Sequence, residues 1–252
     1  MASLLTIPTI MPDKLHPPGE ALRIVLLDID GTLILSNDAH ARAWVSALAE
    51  HGYIVAFDEV RPLIGMGGDK LLPARTGLDA ESDQAKSIGE ACTRLFADEL
   101  PALQPAPGAR ALLERLLAAG LELVVATSAR EEEVRAILTQ AGVADLIQLA
   151  ASADDADRSK PDPDIVQAAL RKAHRFAAHS VMLGDTPYDI EAAANARVPA
   201  IAVRCGGWWT DTSFAGAIAI YDDPADLARN FEGSPLNVRA RSSASHASHE
   251  AR

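Results

Sequence analysis

The apolar positions of this chain fall into five short, uninterrupted runs. A run of about four to eight apolar residues, without alternating polar ones, is typical of a strand that is buried on both faces of a sheet. The runs are RIVLL (23–27), ELVVAT (122–127), LIQLA (146–150), SVMLGD (180–185) and AIAVR (200–204).

Between these runs, apolar residues recur at the spacing of an amphipathic helix. Strands that alternate with helices predict an α/β fold, in which a Rossmann-like parallel sheet carries helices on both faces. In such a sheet, ligands bind at the carboxyl ends of the strands. The helical segments are 109–120, 130–142, 163–175 and 188–196.

One stretch, residues 36–104, breaks the alternation. It contains two amphipathic segments, 38–52 and 81–100, the first with a helix cap expected at Ser36 or Asn37, and no run that is typical of a buried strand. We therefore predict that this stretch forms a small α-helical cap domain. The cap would be inserted into an α/β core domain formed by residues 21–35 and 105–232.

The two ends of the chain differ from the rest in composition. Residues 1–20 contain four prolines and no sustained periodicity, and residues 233–252 are rich in Ser, Ala, His and Arg. Segments of this kind bury too little apolar surface to offset the entropy lost on ordering. We predict a flexible N-terminal tail over 1–20 and a disordered C-terminal tail over 233–252.

Composition and charge narrow the functional classes. The 252 residues carry 23 Lys and Arg against 35 Asp and Glu, a net charge of −12, which disfavours binding to nucleic acid. No apolar run approaches the roughly 18 residues of a membrane span, and the first residues lack the features of a signal peptide. The two cysteines, Cys92 and Cys205, form no zinc or disulfide motif. We expect a cytoplasmic protein; the sequence does not indicate its oligomeric state.

Two acidic residues follow the first predicted strand directly. Asp28 and Asp30 lie two positions apart in Asp28-Ile29-Asp30-Gly31-Thr32-Leu33, so their side chains emerge on the same side of the strand end. Adjacent carboxylates repel each other unless a cation or a proton lies between them. The pair therefore indicates a site and not an ordinary acidic turn.

A second acidic pair follows the strand predicted at 180–185. Asp185 is the last residue of that predicted strand, a position similar to that of Asp28 after the first strand. Asp189 falls in the first turn of the next predicted helix. An acid in a first helical turn also compensates the helix dipole, so Asp189 alone has two interpretations.

Other polar residues follow further strands. Thr127 and Ser128 end the strand at 122–127, where hydroxyl groups commonly serve turns and helix caps. Lys160, in the segment Ser159-Lys160-Pro161-Asp162, follows the strand predicted at 146–150. A loop lysine, taken alone, most often faces solvent.

Taken together and in this order, the motifs resemble one family. A DxDGTL segment, then a Thr or Ser at a strand end, then Lys-Pro, then GDxxxD is the signature of the haloacid dehalogenase-like hydrolases. The resemblance extends from about Arg23 to Leu227. The helical insertion resembles the small cap of the branch that contains phosphoglycolate phosphatase and β-phosphoglucomutase.

The resemblance implies a role for each acidic residue. Asp28 would attack phosphorus and form an aspartyl-phosphate, and Asp30 would act as the general acid and base. Asp28, the backbone carbonyl of Asp30 and Asp185 would hold Mg²⁺, with Asp189 supporting them. Mg²⁺ suits this set because it binds through a few carboxylates and substrate oxygens.

The resemblance also implies a phosphate-binding set. Thr127, Ser128 and the backbone at Ile29 would contact the phosphoryl oxygens. Lys160 would offset the charge of Asp28 and of the phosphoryl group. These residues together predict a Mg²⁺-dependent phosphatase of a small phosphorylated metabolite, such as phosphoglycolate or a sugar phosphate.

The cap contributes a further candidate region. Its segment Ile64-Gly65-Met66-Gly67-Gly68-Asp69-Lys70 reads as a loop, in which Gly65, Gly67 and Gly68 allow close approach of backbone to a small ligand. Lys70 would be a solvated helix residue or a contact to an anionic group of the substrate.

Three alternatives remain. A β-phosphoglucomutase-like mutase would share the segment 40–44, but the cations expected of its cap loop are missing near Ile64 and Gly68. A phosphonoacetaldehyde hydrolase-like enzyme would use a cap lysine such as Lys70 as a Schiff base, but that branch lacks the second aspartate, which is here Asp30. A non-catalytic binding module would keep the fold without turnover.

Overall fold

The computed structural model of the protein describes residues 22–237. Within them, six parallel strands form one sheet flanked by helices, which confirms the predicted Rossmann-like α/β fold. The strands are β1 (Ile24–Leu27), β2 (Glu122–Ala126), β3 (Leu149–Ala151), β4 (Ser180–Gly184), β5 (Ala200–Val203) and β6 (Ala219–Tyr221).

The order of the strands places the first of them at the centre of the sheet. The order is β3-β2-β1-β4-β5-β6, so β1 lies between β2 and β4. Leu27, the last residue of β1, is opposite Val125 of β2 and Leu183 of β4. The residues that follow these three strands therefore emerge at the same edge of the sheet.

The helices divide between an insertion and the core. Four of them follow β1 before the chain returns to the sheet, and five surround the sheet. Within residues 22–237 the α-helices are α1 (Asn37–Glu50), α2 (Phe57–Val60), α3 (Gly68–Thr76), α4 (Asp83–Glu99), α5 (Ala109–Ala118), α6 (Glu131–Gln140), α7 (Asp164–Lys172), α8 (Pro187–Asn195) and α9 (Pro224–Arg229).

Two hydrophobic clusters cover the two faces of the sheet. Leu27 belongs to one cluster with residues of α5, α6 and α9, and Leu26 belongs to the other with residues of α7 and α8. Successive strand residues point to opposite faces, so a continuous apolar run is needed to fill both. This is why the strand-forming segments show no polar alternation.

The insertion is helical, as the sequence predicts. Helices α1 and α4 pack against each other, with Ala47 and Ile88 among their buried residues. The structure differs from the loop predicted over 64–70 at Gly68 and Asp69, whereas a helical Lys70 agrees with one of its two interpretations. Gly68 and Lys70 belong to α3, which begins with Gly68 and ends before Gly77 in the left-handed conformation.

Short elements at the sheet edges escaped prediction. The edge strand β6 has only three residues, all half-buried, and α9 has six. The strand predicted at 146–150 begins later, at Leu149, which is 39% exposed at the opposite edge. Edge strands are exposed on one side, so they lack a long apolar run.

The folded core also extends beyond its predicted end at residue 232. The described residues reach Asn237, and the side chain of Leu236 is fully buried. The predicted N-terminal tail and the rest of the predicted C-terminal tail lie outside the described residues. Within the described part of the chain, no helix combines the length and the apolar character that a membrane crossing requires.

Candidate active site

Three aspartates meet at the carboxyl edge of the central strands. Asp28 follows β1, Asp185 follows β4, and Asp189 lies in the first turn of α8. One carboxylate oxygen from each lies within 4.8 Å of the other two, and all three residues are at most 5% exposed. The structure therefore brings together three of the four acidic residues that were singled out in the sequence.

Lys160 supplies a positive charge inside this cluster. Its Nζ lies 2.5 Å from Asp28 Oδ1 and 2.7 Å from Asp189 Oδ1, and its side chain is 1% exposed. The peptide bond between Lys160 and Pro161 is cis. Burial opposes the charge of the ammonium, but the carboxylates of Asp189 and Asp28 outweigh it and raise the pKa of Lys160. The lysine is therefore held in its charged form.

The cluster carries more negative than positive charge. Burial raises the pKa of Asp28 to about 8; Lys160 opposes this rise, while Asp189 and Asp30 add to it. Burial, followed by Asp189 and Asp28, also raises the pKa of Asp185 well above its usual range. Three buried carboxylates against one ammonium leave a surplus that a divalent cation would neutralise, and carboxylate oxygens are the ligands that hard cations prefer. The residues present fit such an ion.

Asp185 is fixed by neighbours on three sides. Its Oδ1 accepts a hydrogen bond from Thr32 Oγ1 at 3.1 Å, and its Oδ2 accepts one from Asn37 Nδ2 at 2.7 Å. On the remaining side lies the backbone of Gly206, where an added Cβ would be 1.8 Å from Asp185 Oδ2. Only a glycine leaves room for the carboxylate at this position.

Asp189 has both of the functions that its sequence position suggested. Its Oδ2 accepts hydrogen bonds from Thr186 Oγ1 at 2.7 Å and Thr186 N at 3.0 Å, which closes a capping box at the start of α8. Its other oxygen faces Lys160. The residue therefore caps a helix and also contributes charge to the cluster.

The second aspartate of the first motif, Asp30, contacts residues at the start of α1. Asp30 Oδ1 accepts a hydrogen bond from Ser36 Oγ at 2.5 Å and lies 2.9 Å from His40 Nε2. Burial alone would raise the pKa of Asp30, but His40 and Ser36 outweigh it and lower that pKa. The His40 ring stacks on Phe96 at 3.7 Å, and Asp30 raises the pKa of His40 against the effect of burial.

The predicted phosphate-binding residues lie beside Asp28. Thr127 is 1% exposed, and its Oγ1 accepts a hydrogen bond from the backbone N–H of Ala129 at 3.1 Å. Ser128 has a buried hydroxyl with no hydrogen-bond partner among the described residues. The side chain of Ile29 is fully buried, so only its backbone can face a ligand.

A cavity of about 360 Å³ lies between the cap and this edge of the sheet. Asp28, Asp30, Thr127 and Ser128 form part of its core wall. The cap wall includes His40, Gly65, Gly67, Gly68 and Phe96. Both predicted domains therefore line this cavity, which lies next to the aspartates.

Lys70 occupies a different place from its neighbours. Asp69 lines the cavity with the cap glycines, whereas Lys70 is absent from the described lining and its Nζ donates to Asp162 Oδ2 of the core. The Lys70 ammonium is therefore paired with the Asp162 carboxylate and does not face the cavity.

Comparison with known proteins identifies the family. Residues 25–203 match the family of haloacid dehalogenase-like hydrolases. The chain belongs to this family. The resemblance seen in the four sequence motifs is therefore confirmed.

Relatives of this haloacid dehalogenase-like hydrolase include a phosphoglycolate phosphatase and proteins of known structure. The phosphoglycolate phosphatase of Rhodospirillum rubrum is 33% identical over 215 residues, covering 81% of this chain and 89% of that protein. A hydrolase from Pseudomonas syringae matches with a TM-score of 0.77 and 27% identity, covering 84% of this chain and 98% of its own. A mutant of CbbY from Rhodobacter sphaeroides, in complex with xylulose-(1,5)bisphosphate, matches with a TM-score of 0.71 and 27% identity. The match covers 82% of this chain and 96% of that one. The family and the phosphatase relatives together indicate an enzyme of the phosphatase type.

Three residues of the hydrolase's site were not predicted as site residues. Ser36 and Asn37 were expected only to cap α1, and His40 was noted only as part of a segment similar to a mutase. Ser36 makes no side-chain cap hydrogen bond, because its hydroxyl donates to Asp30. The available signal was their position, since all three polar residues follow the first motif within a single helical turn.

Proposed function

We propose that this hydrolase is a Mg²⁺-dependent phosphatase that hydrolyses a small phosphorylated metabolite, a monoester similar to phosphoglycolate or a sugar phosphate. The observation that carries the proposal is the contact of Asp28 with Lys160, beside Asp30, at the wall of a cavity. A carboxylate nucleophile, a fixed cation and a second carboxylate with its own proton donor are the groups that phosphoryl transfer through an enzyme aspartate requires.

The first step is the attack of an Asp28 oxygen on phosphorus. The bond from phosphorus to the leaving oxygen breaks as the aspartyl-phosphate forms. Lys160 keeps Asp28 oriented and offsets charge on the transferring group, because its ammonium is buried and permanently paired. Ser128 supports this step, since its free hydroxyl can donate to a phosphoryl oxygen.

Asp30 manages the protons of both steps. It would protonate the leaving oxygen and later take a proton from the water that attacks the aspartyl-phosphate. Its hydrogen bond to His40, whose pKa is raised, provides a proton at a higher pH than an ordinary histidine would. The stacking on Phe96 holds the ring in place for this transfer.

The surplus of negative charge supports a metal requirement. Asp28, Asp185 and the backbone carbonyl of Asp30 would hold Mg²⁺, with Asp189 supporting them. When bound, the ion supplies positive charge that offsets these carboxylates and the phosphoryl group.

The cavity supports a small substrate with a second anionic group. Its volume of about 360 Å³ is near the lower end of common ligand pockets. Lys86 and Arg130 are among the residues that line it, and either could face a carboxylate or a second phosphate of the substrate. The name of the phosphoglycolate phosphatase relative and the bisphosphate in the CbbY complex agree with this class.

The alternatives have weaker support. Lys70 is paired with Asp162, so it offers no free amine for a Schiff base of the phosphonoacetaldehyde hydrolase type. A mutase could use Lys86 and Arg130 for a bisphosphate, and it would isomerise a sugar phosphate without releasing phosphate. A binding module would not need Asp28 as a nucleophile.

A phosphate-release screen tests the proposal. We would incubate the protein with phosphorylated metabolites, including phosphoglycolate and hexose phosphates, with Mg²⁺ or with excess chelator. We expect turnover that requires Mg²⁺ and is lost in Asp28→Asn, but kept in Asp145→Asn, which changes an exposed aspartate paired with Arg110. Full activity in chelator, or in Asp28→Asn, would refute the proposal, and isomerisation without phosphate release would establish the mutase.

A further inference from the structure

One segment of the cap, residues 62–70, makes a series of contacts with the core. The Pro62 carbonyl accepts a hydrogen bond from Tyr188 Oη at 2.6 Å, and an added Cβ at Gly65 would lie 2.6 Å from the Thr186 side chain. We call residues 62–70 the docking segment. Three of its last four residues also contact the core: Gly67 N donates to Ser159 Oγ at 3.0 Å, Asp69 Oδ2 accepts from Ser159 N at 3.3 Å, and Lys70 Nζ donates to Asp162 Oδ2.

The core residues in these contacts are neighbours of the site residues. Ser159 and Asp162 lie on the two sides of Lys160. Thr186 and Tyr188 lie between Asp185 and Asp189 in sequence. The docking segment therefore touches the loop that carries Lys160 and the start of α8, which lies between Asp185 and Asp189, without its Lys70 touching the cavity.

The loop that carries Lys160 is also held by contacts within the core: Arg158 pairs with Asp162 and Asp164, and Asn195 Nδ2 donates to the Pro161 carbonyl at 3.1 Å. Residues 156–163, between β3 and α7, form no helix or strand. A loop without ladder hydrogen bonds depends on side-chain contacts to keep one conformation. Yet the lysine at its centre must stay within hydrogen-bond distance of Asp28 and Asp189.

We propose that Lys70 is a positioning residue: its ion pair with Asp162, together with the contact of Asp69 with Ser159, holds the loop that presents Lys160 to Asp28. This inference rests on the proposed function for the role of Lys160. It replaces the expectation that Lys70 contacts an anionic group of the substrate. Docking of the cap then completes the lysine–aspartate contact as it closes the cavity.

The two roles of Lys70 predict different kinetics. A substrate contact that is lost raises KM and spares kcat, whereas a misplaced Lys160 lowers kcat, because it acts on the reacting group. Small misplacements of a catalytic group have large effects on rate. For Lys70→Met we expect kcat to fall about tenfold, with KM changed by less than about twofold.

The experiment compares Lys70→Met, Lys70→Arg, Asp162→Asn and the double variant Lys70→Met/Asp162→Asn. Each is assayed for kcat and KM, and for amide hydrogen exchange in peptides that cover residues 157–163. The control is Arg94→Ala, which removes an ion pair with Glu50 that lies within the cap. Neither Arg94 nor Glu50 has a described contact with the core loop at residues 156–163.

We expect Lys70→Arg to keep most of the activity, since it keeps the charge. The double variant should be no worse than either single variant, because the two residues act as one pair. Exchange over 157–163 should rise in Lys70→Met and Asp162→Asn, and stay unchanged in Arg94→Ala. Wild-type kcat in Lys70→Met, a change confined to KM, or unchanged exchange would each overturn the inference.

The outcome is separable from the proposed function. If the wild-type protein releases phosphate from no substrate, the proposed function fails, while the exchange measurement still tests the contact. If the wild type is active and the variants behave like Arg94→Ala, only the positioning role fails.

Discussion

The space around Gly206 gives a sharp test of the candidate metal site. In Gly206→Ala, the new Cβ would lie 1.8 Å from Asp185 Oδ2 and 2.9 Å from Asn37 Nδ2, whereas real contacts of a Cβ are essentially never shorter than 3.0 Å. Gly206 does not adopt a positive φ, so alanine carries no backbone penalty. The perturbation is therefore purely steric and acts on Asp185.

The overlap converts into an expected loss of metal affinity. The Gly206 carbonyl accepts hydrogen bonds from Asn37 and from the buried Arg61, which hold the backbone in place, so the carboxylate of Asp185 must move by about 1 Å. Overpacking of this kind costs about 1–3 kcal/mol. Returning Asp185 to its place around the ion would cost the same amount, and about 1.4 kcal/mol corresponds to a factor of ten, so Mg²⁺ should bind about 5- to 150-fold more weakly.

The assay is a titration with Mg²⁺, followed both by phosphate release and by isothermal titration calorimetry without substrate. The control is Gly233→Ala, because an added Cβ at Gly233 meets nothing within 4 Å. Calorimetry separates metal affinity from catalysis. If Gly206→Ala binds Mg²⁺ as tightly as the wild type and Gly233→Ala do, then Asp185 does not hold the ion in the way argued here.

Two further predictions concern the proton donor and the phosphate-binding hydroxyl. His40→Ala removes the partner of Asp30, so kcat/KM for an alkyl phosphate should fall about 10²-fold, with a much smaller loss for p-nitrophenyl phosphate, whose leaving group needs no proton. Equal losses on both substrates would argue against this role. Ser128→Ala removes a buried hydroxyl without a described partner, so KM should rise about fivefold while the melting temperature stays level or increases. A lower melting temperature with unchanged KM would instead give Ser128 a structural role.

The core of the fold and its acidic residues could be predicted because their signals are local. A continuous apolar run identifies a buried strand, and an acid directly after it must lie at the sheet edge. Asp28 and Asp185 follow from this reasoning alone. Thr127 follows in the same way, from its position after β2.

The contacts that complete the site could not be predicted in the same way. Lys70 and Asp162 are 92 residues apart, and no periodicity links a cap helix to one core carboxylate. In the sequence, Ser36 has the position of an ordinary helix-capping residue. Only the folded backbone places its hydroxyl next to the Asp30 carboxylate. The short edge strand β6 was not predicted for a different reason. Its three half-buried residues are too few to show a recognisable apolar pattern.

The charge of the whole chain and the charge of the site act on different scales. A net charge of −12 opposes an anionic substrate, but exposed charges are screened beyond about 8 Å at physiological ionic strength. Many acidic residues at the surface are also paired with basic ones. Asp211 and Asp222, for example, both pair with Arg204. What an incoming phosphate meets is the local balance around Asp28. There, burial makes the surplus of carboxylates costly until a cation joins Lys160, so one arrangement would both favour metal binding and allow the site to accept an anion.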